Sequence, residues 1–354
     1  MHYTQEAFTI DELEQILEAF TKGDPDNDGK DNTFGISACD DIVYSWNTVM
    51  GSFGYAYRYN INVEGKLYEW CIAPQHREFL KLANKWFKNG WLDPEFVTLN
   101  RTKMWEKITA GIIGYWNDPF NYVDPTSEGL KKRPPMSIPQ YNSNAKILIA
   151  TGEIGKDGKR GVGQWTAGGE FNDNFFINKN VDDEKLIRIL RIFDYINLDS
   201  EGVILSNWGE EGVHFKWSGE AHKSPPIRLD GMGSKQGFGF YNLDILTDEN
   251  VKYNYTEVPL KIYQWASTEG LKYVIKPYRW DFFNETKYAD VNSKYGSGLQ
   301  TIWKEFFYKA IVGEVNINDD AVWDAYVQKW LKEGGAELLA ELEKAPVVEE
   351  LSKK

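Results

Sequence analysis

The 354-residue sequence lacks the patterns of several common protein classes. Its two cysteines, Cys39 and Cys71, have neither the spacing of a metal site nor that of a disulfide framework, so one disulfide and two buried thiols are both open. No apolar run approaches the roughly 18 residues that a membrane-spanning helix needs. No basic segment followed by an apolar core marks a signal peptide in the sequence.

Motifs of common enzyme classes are also missing. The four histidines are scattered and make no metal-binding pair, and neither a nucleophile elbow nor a phosphate-binding loop occurs. The segment Gly231-Met232-Gly233 lacks the full dinucleotide fingerprint. A glycosidase needs only two suitably spaced carboxylates, which a chain with 53 acidic residues easily supplies. A carbohydrate-active hydrolase therefore stays open as an alternative function.

Basic residues are fewer than acidic residues. There are 40 Lys and Arg residues against 53 Asp and Glu, a net charge of −13. Such a surface repels phosphate groups, which argues against nucleic acid or an anionic membrane as a partner.

Aromatic residues, in contrast, are plentiful. They make up 15% of the chain, with 14 Trp, 20 Tyr and 19 Phe. Most must belong to the core, but flat aromatic faces also suit the apolar faces of sugar rings. The composition therefore favours a carbohydrate ligand without establishing one.

One acidic segment has half of a calcium-binding pattern. Asp24, Asp26 and Asp28 occupy positions 1, 3 and 5 of a short loop, and Gly29 occupies position 6, as in an EF-hand. Position 12, where an EF-hand has a bidentate glutamate, is Gly35. The alternative is a solvated turn, because Asp, Asn, Pro and Gly favour turns without any metal.

Helices and short apolar strands alternate along the chain, which predicts an α/β architecture. Residues 9–21 have the pattern of an amphipathic helix, with a capping box formed by Thr9 and Glu12. Strands are predicted around 34–36 and over the apolar segment 111–116.

Further helices are predicted over residues 74–88, 183–198, 300–312 and 319–342. In the helix over 183–198 the residues expected to face inward are Leu186, Ile189, Leu190, Phe193 and Ile196.

Four segments, in order, resemble those of one protein family. They are 9–13 with the acidic loop and 34–36, NKWFKNGWLDPEF at 84–96, DSEG leading to NWGEEGVHF at 199–215, and the C-terminal Phe306, Phe307, Gly313, Trp323 and Tyr326. The chain resembles the bacterial extracellular solute-binding proteins of ABC importers (family 1), in particular the lipoproteins that bind alginate and other oligosaccharides.

This resemblance implies a two-lobed, type II binding-protein fold. Residues 1–165 would form most of the C-terminal lobe, 166–230 would cross into the other lobe, and 231–354 would return. Family members begin with a lipoprotein signal and an N-terminal lobe segment that has no counterpart in this chain. One lobe is therefore expected to be incomplete, and self-association or pairing with a separate N-terminal part is expected.

The resemblance also implies a structural calcium ion in the acidic loop. Its implied ligands are Asp24, Asp26, Asp28, the carbonyl of Lys30 and Asn32.

The implied function is that of an extracellular, lipid-anchored receptor, and not of an enzyme. It would capture an oligosaccharide between the lobes and deliver it to the permease subunits of an ABC transporter. A receptor of the same fold for another ligand, such as a peptide, is a further alternative.

Tryptophans are the expected sugar platforms. Trp116 leads because it ends an apolar strand, precedes the polar pair Asn117 and Asp118, and falls where the family has a stacking tryptophan. The other expected platforms are Trp46, Trp165 and Trp280. For each of the four, a place in the core is the alternative.

Arg279, next to Trp280, is expected to pair with a uronate, with a surface salt bridge as the alternative. Helical spacing instead predicts core positions for four further tryptophans, Trp86, Trp303, Trp323 and Trp330.

Overall fold

The computed structural model describes residues 2–25, 28–40, 42–118, 120–123, 130–163, 177–229, 257–280 and 286–351. Asp26 and Trp165 lie outside this range. The contacts divide the chain into two units. The larger unit comprises residues 4–118, 150–167 and 271–354, and the smaller unit comprises residues 1–3, 119–149 and 168–270.

Helices dominate the described residues. They are α1 (Ile10–Lys22), α2 (Ile42–Gly51), α3 (Pro74–Lys88), α4 (Arg101–Thr109), α5 (Ile138–Tyr141), α6 (Asp183–Leu198), α7 (Ser200–Trp208), α8 (Glu257–Ala266), α9 (Tyr288–Val312), α10 (Asp320–Trp330), α11 (Ala336–Leu342) and α12 (Val348–Leu351).

The strands are short and mostly parallel. They are β1 (His2–Tyr3), β2 (Phe8–Thr9), β3 (Phe34–Ile36), β4 (Ile61–Val63), β5 (Lys66–Tyr68), β6 (Ile113–Tyr115), β7 (Leu148–Ile149), β8 (Glu153–Ile154), β9 (Val162–Gly163), β10 (Phe215–Trp217), β11 (Pro226–Arg228) and β12 (Val274–Ile275). Parallel pairs are β2 with β8, β3 with β6, and β9 with β12 in the larger unit, and β1 with β7 in the smaller unit. The pairs β4–β5 and β10–β11 are antiparallel.

Local signals in the sequence set several boundaries. The capping box of α1 forms as predicted, because the Glu12 N–H donates to Thr9 Oγ1 at 3.2 Å and the Thr9 N–H donates to Glu12 Oε2 at 2.8 Å. Helix α3 spans its predicted range, and Gly90 follows it with a positive φ of 74°.

Two C-terminal predictions need correction. Helix α9 begins at Tyr288 and not near Gln300. The helix predicted over 319–342 is interrupted at Gly334, whose φ of 118° is incompatible with a continuous helix.

The core of the larger unit is aromatic. Trp46, Trp86, Phe79 and Phe307 are almost completely buried. Trp303, Trp323 and Trp330 are buried as well, so all four tryptophans predicted for the core are confirmed there.

His76 lies inside this aromatic core. Its Nε2 accepts a hydrogen bond from Trp303 Nε1 at 3.2 Å, and its Nδ1 lies 2.9 Å from Tyr55 Oη. Because Nε2 is an acceptor, the neutral ring carries its proton on Nδ1 and donates it to Tyr55. Burial lowers the pKa of His76 to about 3.

The smaller unit has a modest core around Val203, Ile204, Trp208 and Phe215. Helix α6 has the predicted bounds, but much of its apolar surface is exposed. Ile196 is buried as expected, whereas the inward position predicted for Leu190 is wrong, because 47% of that residue is exposed.

Cys39 and Cys71 are buried free thiols, so the alternative of two separate thiols describes this chain. In the part of the chain that the structure describes, no helix has the length and apolar character needed to cross a membrane.

Glu69 is a buried carboxyl group in the larger unit. Its Oε1 accepts a hydrogen bond from Tyr288 Oη at 3.2 Å. Burial raises the pKa of Glu69 to about 7, against a smaller opposing effect of that hydrogen bond.

The substitution Glu69→Gln should therefore reduce the loss of stability at rising pH. A folded-state pKa above the ordinary 4.5 means that the stabilising contribution is complete below pH 4.5 and is lost as the pH rises through 7. As the pH rises from 5 to 8, this carboxyl group should lower the unfolding free energy of the native protein by on the order of 2 to 3 kcal/mol. The glutamine variant should not show this loss. Urea unfolding at several pH values measures this difference.

The comparison between the two proteins cancels the opposite slope of His76, which both contain. The control is Glu106→Gln on α4, where the side chain is exposed and the native slope should persist. Parallel pH profiles for the native protein and Glu69→Gln would contradict the assignment.

Candidate functional site

Trp116 directly follows strand β6 and is half-buried. The strand runs parallel to β3, with Ile36 opposite Tyr115. Gly114 lets it pass close to helix α1, since a Cβ at that position would lie 2.3 Å from the Phe20 ring. A side chain at position 114 would therefore force strand β6 away from helix α1.

Asn117 is held by two neighbours. Its Oδ1 accepts a hydrogen bond from Thr48 Oγ1 at 2.7 Å, and its Nδ2 donates to Tyr115 Oη at 3.0 Å. Thr48 Oγ1 also lies 3.2 Å from Tyr115 Oη. These bonds position the backbone next to Trp116.

Glu153, at the start of β8, completes this polar cluster. It is only 2% exposed, and its Oε1 accepts a hydrogen bond from Tyr115 Oη. Its Oε2 has no hydrogen-bond partner in the described part of the chain. Burial raises the pKa of Glu153, and burial together with the adjacent carboxyl raises that of Tyr115.

We refer to Thr48, Tyr115, Asn117 and Glu153 as the polar cluster. Sequence reasoning found only Asn117 among them. The other three lie on a helix and two separate strands, and no local spacing connects them.

Arg160 is the cation that acts on Glu153 electrostatically. Its Nη2 donates to the carbonyl and the Oγ1 of Thr151 at 3.0 and 2.9 Å. Its guanidinium lies 4.0 Å from the centre of the Tyr273 ring, a cation–π contact.

Trp46 lies in the core and not at a surface. It has no exposed area, stacks on Trp86 at 6.3 Å between ring centres and meets Phe79 edge-on at 5.4 Å. A sugar has no access to either face of the ring, so the core alternative describes Trp46.

Trp280 and Arg279 form a second half-buried group. The Trp280 ring lies 6.3 Å from that of Tyr59. The Arg279 backbone N–H donates to Asn60 Oδ1 at 2.8 Å, and its Nη1 donates to the carbonyl of Ala345. The Nε of Arg279 is buried without a hydrogen-bond partner among the described residues.

The acidic loop is ordered by its own side chains. The two carboxylate oxygens of Asp24 accept the N–H groups of Asp28 and Gly29 at 3.1 and 3.0 Å. Asp28 Oδ2 accepts from Lys30 Nζ and from Asn32 Nδ2, both at 3.1 Å. These bonds lower the pKa of Asp28, with the Lys30 side chain as the largest cause.

Gly35 explains why the EF-hand pattern stops halfway. A Cβ at this position would lie 2.6 Å from the Leu17 backbone, so strand β3 packs on α1 too closely for a glutamate there. In the described part of the chain, no group of three or more His, Cys, Asp and Glu residues could hold a metal.

The smaller unit contains a cavity of about 250 Å³. Phe215, Trp217 and Tyr195 supply its aromatic surface, and Glu201 and Glu211 supply its carboxylates. The predicted site residues that the structure describes are not among those that line it.

No protein-family model matches the chain. Two curated proteins of Bacillus subtilis (strain 168) do match. The polygalacturonan/rhamnogalacturonan-binding protein YtcQ is 26% identical over 344 residues, and lipoprotein LipO is 25% identical over 348 residues. Each match covers 95% of this chain, and the chain spans 64% of the length of each relative.

Solved structures show the same fold. The alginate-binding protein AlgQ2, determined without calcium ion, matches 96% of this chain and 68% of its own with a TM-score of 0.55 at 18% identity. An EF-hand mutant of the Streptococcus pneumoniae ABC-transporter substrate-binding protein FusA, in complex with fructo-nystose, matches 96% of this chain and 67% of its own, with a TM-score of 0.55 at 16% identity.

The chain therefore has the fold of the solute-binding proteins of ABC importers. This confirms the predicted α/β fold class and the predicted resemblance. The relative and the neighbours whose names state a function are named as binding proteins, as the resemblance implied.

Removing the Tyr115 hydroxyl should destabilise the larger unit. Tyr115→Phe removes the hydroxyl that donates to the buried Glu153, which should cost about 1 to 3 kcal/mol of unfolding free energy. The double variant Tyr115→Phe with Glu153→Met removes both polar partners and should be less destabilised than Tyr115→Phe alone. Urea unfolding measures both values, and a neutral effect of Tyr115→Phe would contradict the buried pair.

Proposed function

We propose that this protein is the substrate-binding component of an ABC importer, that it works outside the cell, and that it captures an oligosaccharide. The observation that carries the proposal is the match over 95 to 96% of the chain with proteins named for binding polysaccharides or for complexes with oligosaccharides. Its transport partners would be the permease subunits in the membrane. That one relative is a lipoprotein supports a place at the cell surface.

Capture in this fold works by closure of two lobes around the ligand. We propose that Trp116 supplies an aromatic platform in the larger unit, since it is half-buried and lies beside the polar cluster. The half-buried Trp280 is a second platform, and Arg279 beside it has an N–H that no described residue accepts. We also propose that Asp118, at the same strand end, contributes to ligand binding. The lobe boundaries near residues 165 and 230 are part of the same proposal.

A panel of neutral and acidic oligosaccharides tests the function. A thermal-shift screen should find ligands that raise the melting temperature, because a ligand that binds only the folded state stabilises it. Chromatography of the same mixtures should find the sugars intact. Cleaved products would establish the hydrolase alternative instead, and stabilisation by peptides alone would establish a receptor for another ligand.

Replacing Trp116 should weaken binding without unfolding the protein. Loss of a central stacking tryptophan typically costs at least about 2 kcal/mol, or roughly thirtyfold in affinity. Calorimetry of Trp116→Ala with a sugar from the panel measures the loss. Tyr141→Ala is the matched control, because this aromatic side chain is 70% exposed and lies outside the proposed site. A large fall in the melting temperature of Trp116→Ala would show that Trp116 is a core residue.

We further infer that the acidic loop binds a structural calcium ion. Asn32 supports this, because its Oδ1 is buried and accepts no hydrogen bond among the described residues. A hard cation prefers such carbonyl and carboxylate oxygens, which Asp24, Asp28, the Lys30 carbonyl and Asn32 would provide together with Asp26. A bound ion would link the C-terminal end of α1 to strand β3. The ammonium of Lys30 is a competitor, since it is paired with Asp28.

Calcium should raise the melting temperature and EDTA should lower it. At a hundredfold excess over the dissociation constant the stabilisation is about 2.7 kcal/mol. Lys30→Ala keeps the main-chain carbonyl but removes the competing ammonium, so it should bind calcium more tightly. Asp28→Ala should abolish the response. A melting temperature indifferent to both additions would overturn the proposed site.

A further inference from the structure

We propose that the subsite at Trp116 accepts an uncharged sugar unit and discriminates against a uronate. This inference rests on the proposed function and specifies the class of ligand at the same site. It departs from the name of the curated relative YtcQ, which refers to an acidic polysaccharide.

A buried carboxylate is linked by hydrogen bonds to the residue beside Trp116. Asn117, next to Trp116, bonds to Tyr115 Oη at 3.0 Å, and that hydroxyl in turn donates to Glu153. Glu153 is therefore two hydrogen bonds away from the residue that adjoins the platform. Its Oε2 has no hydrogen-bond partner in the described part of the chain, and Arg160 offsets part of its negative charge.

The cation that acts on Glu153 is already engaged with other groups. A uronate is usually held by an arginine whose fork faces the carboxylate. Arg160 instead directs Nη2 at Thr151 and lies over the ring of Tyr273. To bind a uronate, it would have to give up contacts that hold its present position.

The remaining members of the polar cluster are neutral. The described bonds of Thr48, Tyr115 and Asn117 join neutral groups to one another and to Glu153. A ligand carboxylate placed on Trp116 would lose water and meet a charge of its own sign in a half-buried environment, where solvent screens charges less than in bulk water. A sugar hydroxyl carries no such charge.

Binding of matched acidic and neutral tetrasaccharides to the unmodified protein tests the inference. The probes are tetragalacturonate, its fully methyl-esterified form and galactotetraose, together with alginate tetramers and neutral gluco-, xylo- and fructo-oligosaccharides. Calorimetry should find the neutral member of a matched pair bound at least tenfold more tightly than its acidic counterpart. Raising the ionic strength should narrow this ratio, because salt screens the repulsion.

Glu153→Gln keeps the size of the side chain and removes its charge. This variant should reduce the ratio severalfold, whereas the exposed control Glu106→Gln should leave it unchanged. If circular dichroism shows that Glu153→Gln does not fold, the salt dependence of the affinity ratio in the native protein tests the inference instead.

The possible results test discrimination against uronates separately from capture of oligosaccharides. Binding of uronates as tightly as neutral sugars, or a ratio indifferent to both salt and Glu153→Gln, overturns the discrimination and leaves oligosaccharide capture intact. Binding of no oligosaccharide in the panel overturns the proposed function and the inference with it.

Discussion

The packing of helix α3 against helix α9 is the interaction on which the larger unit depends. His76 and Phe79 of α3 stack with Phe307 of α9 at 6.2 and 6.3 Å between ring centres, and Trp303 donates a hydrogen bond to His76 across 227 positions of sequence. Apolar rings supply most of the stabilisation of such a core. The buried imidazole adds direction, because only one tautomer satisfies both of its neighbours.

The candidate site is built on this core. Trp46 anchors helix α2 by stacking on Trp86 of α3, and the same helix carries Thr48 two residues further on. Thr48 then meets the end of β6 through Asn117, and β6 meets the start of β8 through Tyr115 and Glu153. Trp46, which the sequence predicted to contact sugar, therefore stabilises the candidate site from within the core, whereas Trp116 is half-buried at the edge of that site.

The acidic loop illustrates how packing limits a binding motif. Its first half keeps alternate acidic side chains, as a cation requires. Its second half ends at Gly35, where close contact with helix α1 leaves no space for a side chain. Any cation bound here must be held by the remaining oxygens and by Asn32, in competition with Lys30.

The sequence by itself determined the local elements of this protein. Capping at Thr9, the spacing of apolar residues in α3 and the glycine after it depend on neighbours in the chain, so their positions could be predicted. The shared order of four segments was enough to predict the fold class. Only the tertiary structure decided whether Trp46 and Trp116 are buried and which polar groups meet. Trp46 and Trp116 both precede an asparagine, yet Trp46 is fully buried and Trp116 is half-buried, and Thr48, Tyr115 and Glu153 are brought together from three distant elements. Burial and long-range hydrogen bonding depend on how elements pack, and no local pattern encodes that packing.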